Sequence, residues 1–271
     1  MTLCGAAIAA GGYIVSISDK LISNGIVSAD GVSTKLNMMD RVGNNWVAMI
    51  AGEDITQSVF ILDRAAKLFR GKQNTLEKAH AAFKNAYRGH MADMVESGVL
   101  GRYKLSMRQF VNREHKLTDA MYYSINEKIL TYKAPVQFLV FGFDKEQMPH
   151  LFTAVDGLTH SYDLPGFCCI GTGGPLADVT LYLLGQKNTM SLDETVFNLC
   201  AAKFMAERAG VGVGQETHLY LQQPGTNTTR WRDNDMLNGI RQIWEKECAP
   251  RIPTEAIELI RNSGLACRKE P

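Results

Sequence analysis

The sequence predicts an α+β domain made of two antiparallel β-sheets with helices on their outer faces. Three observations carry that prediction. Strand-like segments come first, followed by two helical segments, more strands, two further helices and a last strand. The β–α–β alternation that a doubly wound parallel sheet needs is missing. The helical segments are amphipathic, and an apolar stripe has to be covered by another element.

The elements follow in chain order. Residues 3–9 (LCGAAIA) are small and apolar, Gly11-Gly12 signals a turn, and Tyr13 to Ile17 is rich in β-formers, so a hairpin starts almost at the first residue. Val32 to Met38 and Trp46 to Ile50 form a second strand pair around a Gly43-Asn44-Asn45 turn. Ile55, Val59, Leu62, Ala66 and Phe69 then recur at helical spacing, as do Leu76, His80, Phe83, Tyr87, Met91 and Met94. Residues 100–133 read as a less regular, mostly helical insertion. Strands resume at Val136 to Phe143, Leu151 to Val155 and Phe167 to Ile170. Gly171 to Gly174 makes a tight turn into a helix with Pro175 in its first turn and Leu176, Val179 and Leu183 as its apolar face. Ser191 and Glu194 form a capping box for a helix running to Ala209, and His218 to Gln222 is the last core strand. The expected organisation is a main domain over 1–223 and a helical C-terminal extension over 224–271.

Composition narrows the function. Lys plus Arg number 29 and Asp plus Glu 28, a net charge of +1, which supplies no bulk attraction to nucleic acid or an anionic membrane. No run approaches the ~18 apolar residues of a membrane span, and no signal peptide is evident. The six cysteines show no Cys-x-x-Cys spacing, so zinc and dithiol redox readings lack support and a reducing cytoplasm is the expected compartment. The six histidines form no metal-ligand pair, and no G-x-S-x-G elbow marks a serine hydrolase. Gly171-x-Gly173 lies between a strand and a helix but in no βαβ unit, so it reads as a turn rather than a dinucleotide cradle. Gly210-Val-Gly212-Val-Gly214 reads as a glycine-rich helix exit.

The N-terminus is the remaining source of chemistry. A strand beginning at position 2 is unusual, because termini usually fray. Thr2 heads it. A threonine hydroxyl is a poor nucleophile at neutral pH, but a free α-amine on the same residue, with a reference pKa near 8, can take its proton directly or through water. This chemistry requires removal of Met1.

The opening Thr2-Leu-Cys-Gly-Ala-Ala-Ile, the Gly11-Gly12 turn, Ser18-Asp19-Lys20 and Lys35 resemble proteasome β-subunits and the bacterial HslV peptidase. Ile50-Ala51-Gly52, Phe138-Leu-Val-Phe-Gly-Phe-Asp144 and Cys169-Ile-Gly-Thr-Gly-Gly-Pro-Leu-Ala177 resemble later segments of that family, in the same order. The resemblance spans roughly residues 2–98 and 136–222, and leaves 100–133 and the C-terminal extension without a counterpart. It implies a four-layer αββα sandwich and a threonine-type peptidase, of the kind expected for a divergent bacterial proteasome homologue. Thr2 would attack the carbonyl. Lys35 would lower the pKa of the threonine hydroxyl, and Asp19 would hold Lys35 charged and oriented. The Gly52 N–H would stabilise the oxyanion, Thr172 would stand for a supporting serine, and the Ser23 backbone would hold the peptide as an added strand. Two departures accompany the match. The Thr2–Asp19 interval is one residue longer than the family's, which calls for a bulge in the first hairpin. The Asp and Ser that the family places after its fourth helix have no evident equivalent near Glu207.

The resemblance further implies a ring or helical homo-oligomer, peptide or unfolded-protein substrates, an unfoldase or other activator as a further partner, and no metal or organic cofactor. Two rivals stay open: a catalytically silent scaffold of the same fold, and an N-terminal-nucleophile amidohydrolase acting on a small molecule.

Overall fold

A computed structural model of the chain describes residues 2–20, 22–23, 28–29, 36–38, 46–52, 55–69, 75–114, 116–209, 212–226, 229–231, 234–251 and 253–262. The chain divides into two compact units, Met1–Asp233 and Asn234–Pro271. The first is an α+β unit whose large sheets are antiparallel throughout.

One five-stranded sheet has β1 (Cys4–Ile8) near its middle, between β10 (Phe167–Ile170) and β2 (Ile14–Asp19). Beyond β2 lie β11 (Thr217–Gln222) and β12 (Thr229–Trp231). A second five-stranded sheet runs β5 (Leu36–Met38), β6 (Trp46–Gly52), β7 (Val136–Phe143), β8 (Pro149–Val155) and β9 (Leu158–Ser161). A two-stranded ribbon, β3 (Ile22–Ser23) with β4 (Ser28–Ala29), stands apart from both.

Alternation along the strands builds two cores. Cys4, Ala6, Ile8 and Ile14 of the first sheet join Val47, Met49, Leu139 and Phe141 of the second in one buried cluster, so these faces meet. The opposite residues of the second sheet, Trp46, Ala48, Phe138, Val140 and Phe152, are covered by α1 (Ile55–Phe69) and α2 (Leu76–Met94). Phe138 and Phe152 are fully buried, and each such ring contributes about 1.5–3 kcal/mol. On the first sheet, α5 (Gly174–Leu183) contacts β10 and β1, and α6 (Leu192–Arg208) contacts β1 and β2.

The stripes differ from the expected ones in two helices. In α1 the expected Ala66 and Phe69 are buried and Leu62 packs against the core, but Ile61 and Ala65 complete the buried face and Val59 is half exposed. In α5 it runs through Gly174, Ala177 and Leu181, and Val179 and Leu183 face out. Both helices carry apolar residues on more than one face, so spacing alone does not choose between the faces. Residues 100–133 contain α3 (Met107–Val111) and α4 (Asp119–Thr131), joined by a small core of Leu100, Phe110 and Ile125. The second unit contains α7 (Asn234–Glu247) and α8 (Thr254–Asn262). Among the described residues, no helix is long and apolar enough to cross a membrane.

The first hairpin has no bulge. Its register runs unbroken from Cys4–Ser18 to Ile8–Ile14. The length lies in the turn, where Ala9 N–H donates to Tyr13 O at 2.8 Å and Gly12 N–H to Ala9 O at 3.1 Å. Gly11 and Gly12 both adopt φ +78°, which a side chain would resist. Two consecutive glycines absorb the longer interval in the loop, and the strand needs no irregular residue.

Candidate active site

Thr2 precedes β1, and its two neighbouring strands bring it partners. On one side β2 ends at Asp19, which is fully buried. The Thr2 hydroxyl donates to Asp19 Oδ1 at 3.1 Å, and the Leu3 N–H donates to the same oxygen at 2.8 Å. Gly214 N–H donates to Asp19 Oδ2 at 3.0 Å. Hydrogen bonds to an ionised acceptor are roughly twice as strong as neutral ones, and these fix both carboxylate oxygens.

On the other side β10 runs into the Gly171–Gly173 turn. Thr2 N–H donates to Thr172 Oγ1 at 3.1 Å, and Thr2 O accepts from Gly173 N–H at 3.2 Å and from the Thr172 hydroxyl at 3.4 Å. This grip depends on Gly171 having no side chain. At its φ of +90°, a Cβ would press into Thr2 O and lie 2.6 Å from Thr2 Cγ2. The turn is tied to the second sheet by Gly171 N–H, which donates to Gln137 Oε1 at 3.3 Å.

Thr2 opens on a cavity of about 610 Å³ whose walls include Gly52, Thr172, the start of β7 and the β8–β9 turn. Gly52 ends β6 opposite Val136, and a Cβ there would collide with Pro135 O and come within 2.8 Å of Val136 Cα. Glycine is therefore required for β6 to close on β7 at the cavity wall. The Tyr87 hydroxyl supports that wall from behind, 2.9 Å from Ala134 O and 2.8 Å from Val136 O. Burial pushes the Tyr87 phenol up to about 12, so it stays a donor at any working pH. Lys133 and Asp156 form a 3.7 Å ion pair at the more exposed part of the wall.

The predicted residues thus fall into three groups. Thr2 is within hydrogen-bonding reach of both Asp19 and Thr172, and Gly52 lines the same cavity as Thr2 and Thr172. Ser23 lies in β3 opposite Ser28, in the separate ribbon. Lys35 lies outside the described residues. Gly214, Gln137 and the Leu3 amide were not anticipated. Two of these act through backbone, which leaves no mark on the sequence, and the run Gly210 to Gly214 offers the nearest signal for the third contact to Asp19. Among the described residues, no group of three or more His, Cys, Asp or Glu is placed to hold a metal ion.

No protein-family model matches the chain, and no curated protein matches it. Solved structures do. A Gly-1 mutant of Anbu from Hyphomicrobium sp. strain MC1 is similar over 100% of both chains, at 15% identity and a TM-score of 0.61. Anbu from the same strain matches at 14% identity and a TM-score of 0.60, over 99% of each chain. Anbu from Pseudomonas aeruginosa, solved as a helical assembly, matches at 18% identity and a TM-score of 0.63, covering 94% of this chain and 99% of its own. The likeness carries the fold and not an activity.

These matches correct the expected kinship with proteasome β-subunits and HslV: the similar structures are Anbu proteins. Two of them span 99–100% of this chain, and so take in the 100–133 segment and the C-terminal helices that the β-subunit resemblance left without a counterpart. The short motifs behind that resemblance mark a hairpin end and a strand-to-helix turn. Such features are local and do not separate one family from another.

Proposed function

We propose that this chain is an Anbu-like N-terminal-nucleophile hydrolase that cleaves peptide bonds through Thr2 after removal of Met1. The observation that carries this reading is the position of Thr2, gripped by Thr172 and Asp19 and facing a cavity. The contacts between the two sheets, and of helix pairs with their outer faces, support a four-layer αββα arrangement around it.

The chemistry would run as follows. With Met1 removed, the Thr2 nitrogen becomes an amine that takes the hydroxyl proton, directly or through one water. The alkoxide oxygen adds to the peptide carbonyl, and the Gly52 N–H stabilises the oxyanion. Collapse breaks the C–N bond, the ammonium returns its proton to the leaving amine, and an ester to Thr2 remains. Water, deprotonated by the same amine, hydrolyses the ester. Asp19 orients the Thr2 hydroxyl and would hold Lys35 beside it. The helical assembly of the Pseudomonas aeruginosa protein supports self-association of this chain as well.

Intact-mass measurement and labelling with a peptide epoxyketone test the reading. The expected result is loss of Met1 and a covalent adduct that disappears in Thr2→Ala. A retained Met1 would sink it. Turnover of small amides, with every unfolded peptide left intact, would assign the same site to a small-molecule amidohydrolase instead.

A further inference from the structure

The lysine at position 203 is unusual. It lies on α6 with a side-chain exposure of 0%, paired with Glu207 one turn later at 8%. Burying an ammonium and a carboxylate costs several kcal/mol per ion before their attraction repays it, and an apolar pair of similar size is often as stable or more so. Stability alone therefore gives weak reason for a charge pair here. Its contacts supply another. Lys203 Nζ also donates to Gln215 O at 2.7 Å, which anchors the segment between α6 and β11. One residue earlier in that segment, Gly214 N–H holds Asp19 Oδ2. One residue earlier again, Val213 packs on the Thr172-bearing turn, so closely that a Cβ on Gly173 would lie 2.6 Å from Val213 Cγ2. A single anchored segment thus reaches both sides of the Thr2 grip.

We infer that the buried Lys203–Glu207 pair is a positioning element of the site. It fixes the 212–216 segment through Gln215 O, which aims Gly214 N–H at Asp19 and seats Val213 against Gly173. This takes the place of the side-chain pair expected after α6 and missing from the sequence. Lys203 touches no reacting atom and acts through Gly214 and Asp19. The Lys20–Glu216 ion pair at 2.8 Å ties the far end of the segment to the residue after Asp19, but with Glu216 at 56% exposure it is a weak restraint. The buried pair is the stronger one.

The structural inference stands without the proposed activity; only its kinetic consequence rests on that reading. The experiment compares the full chain with Lys203→Met/Glu207→Leu, which removes both charges of the pair, and with Glu207→Gln, which keeps the lysine. Hydrogen exchange followed by mass spectrometry reads peptides spanning 212–217. In the double variant, exchange there should rise about tenfold, with β1 and β7 protection unchanged. Glu207→Gln should raise it roughly threefold in the same peptides, and decides the matter if the double variant does not fold. Unchanged protection of 212–217 in a folded variant overturns the inference. With an epoxyketone probe, the maximal labelling rate of Thr2 should fall about tenfold while probe affinity holds, a split that a loss of folded protein would not produce. If the wild type takes no label, the nucleophile reading fails, while the exchange result still decides the role of Lys203.

Discussion

Asp19→Asn is the most direct probe of the site, because the carboxylate, at zero exposure, accepts hydrogen bonds from Thr2, Leu3 and Gly214. Asparagine keeps one acceptor oxygen. If that oxygen retains Thr2 Oγ1 and Leu3 N–H, the new amide group faces Gly214 N–H at 3.0 Å, donor against donor. The flipped amide instead leaves Leu3 N–H donor against donor, while the Thr2 hydroxyl can turn to accept from the new NH2 group. An orphaned buried N–H costs about 1–3 kcal/mol, and the two surviving bonds drop from charge-assisted to neutral, roughly 1 kcal/mol each. Removing a desolvated charge returns part of this, on the order of 1–2 kcal/mol. The net expectation is a loss of about 2–3 kcal/mol in unfolding free energy. Urea denaturation at fixed protein concentration, followed by tryptophan fluorescence, measures it. Hydrogen exchange should place the loosening at Leu3 and Gly214, and epoxyketone labelling of Thr2 should slow at least tenfold, about 1.4 kcal/mol in the barrier. A variant within about 0.5 kcal/mol of wild type, labelled at the wild-type rate, would refute the view that these bonds hold the nucleophile.

Three further outcomes follow from the same geometry. Gly171→Ala combines a φ of +90° with a Cβ driven into Thr2, so it should cost about 2–4 kcal/mol in urea unfolding and abolish labelling of Thr2; a folded, labelled variant would contradict the close approach. His150 sits between Asp163 at 2.8 Å and Asp144 at 3.3 Å; burial lowers its pKa, but the hydrogen bonds and charges of the two carboxylates outweigh burial and leave it raised, while nearby His80 is held low by burial. A raised histidine pKa gives stability that is complete below the unfolded value near 6.5 and fades as pH rises through the folded one, so His150→Gln should cost about 1–2 kcal/mol at pH 6 and clearly less at pH 9. Asp178 on α5 also has a raised pKa: burial lifts it to about 6 against hydrogen bonds of Cys169 that lower it, and among the described residues its Oδ1 has no hydrogen-bond partner, so its ionisation opposes folding as pH climbs from about 4 to 6. Asp178→Asn should therefore stabilise the protein by about 1–2 kcal/mol at pH 7.5, after discounting for partial exposure, and by almost nothing at pH 4, in paired denaturation curves.

What was legible in the sequence is what local rules encode. The Ser191–Glu194 box caps α6, with Glu194 N–H on Ser191 Oγ at 3.2 Å and Ser191 N–H on Glu194 at 2.9 Å, and Pro175 opens α5. The antiparallel order was legible because it needs only the sequence of elements. Lys203 and Glu207 were not, since a Lys–Glu pair at i,i+4 on a helix ordinarily marks a solvated face. Only the packing of α6 against β1 and β2 and the adjacent Gln215 carbonyl turn that pattern inward. The face of α5 was misread for a similar reason: Val179 and Leu183 are as apolar as the buried Ala177 and Leu181. Gly214 reads as a helix exit, yet its amide meets a carboxylate 195 positions away in the chain. No local rule encodes such a contact.

The hydrogen bonds at Thr2 also separate geometry from chemistry. With any residue ahead of it, the Thr2 nitrogen is an amide: its one hydrogen is committed to Thr172 Oγ1, and its lone pair is delocalised into a carbonyl, so it cannot serve as a base. Cleavage before Thr2 leaves that contact in place, because an amine still has a hydrogen to donate there, and it frees a lone pair beside the hydroxyl. The bonds from Gly173 N–H to Thr2 O and from the Thr2 hydroxyl to Asp19 involve neither the scissile bond nor the new charge directly. In the proposed mechanism, processing would thus switch on a base without moving the Thr2 hydroxyl. The site can be fully assembled by the sheet, with β10 and β2 setting the positions on either side, before any chemistry is possible. Under the proposed mechanism the precision would lie in strand register, and the activity would depend on a single peptide bond.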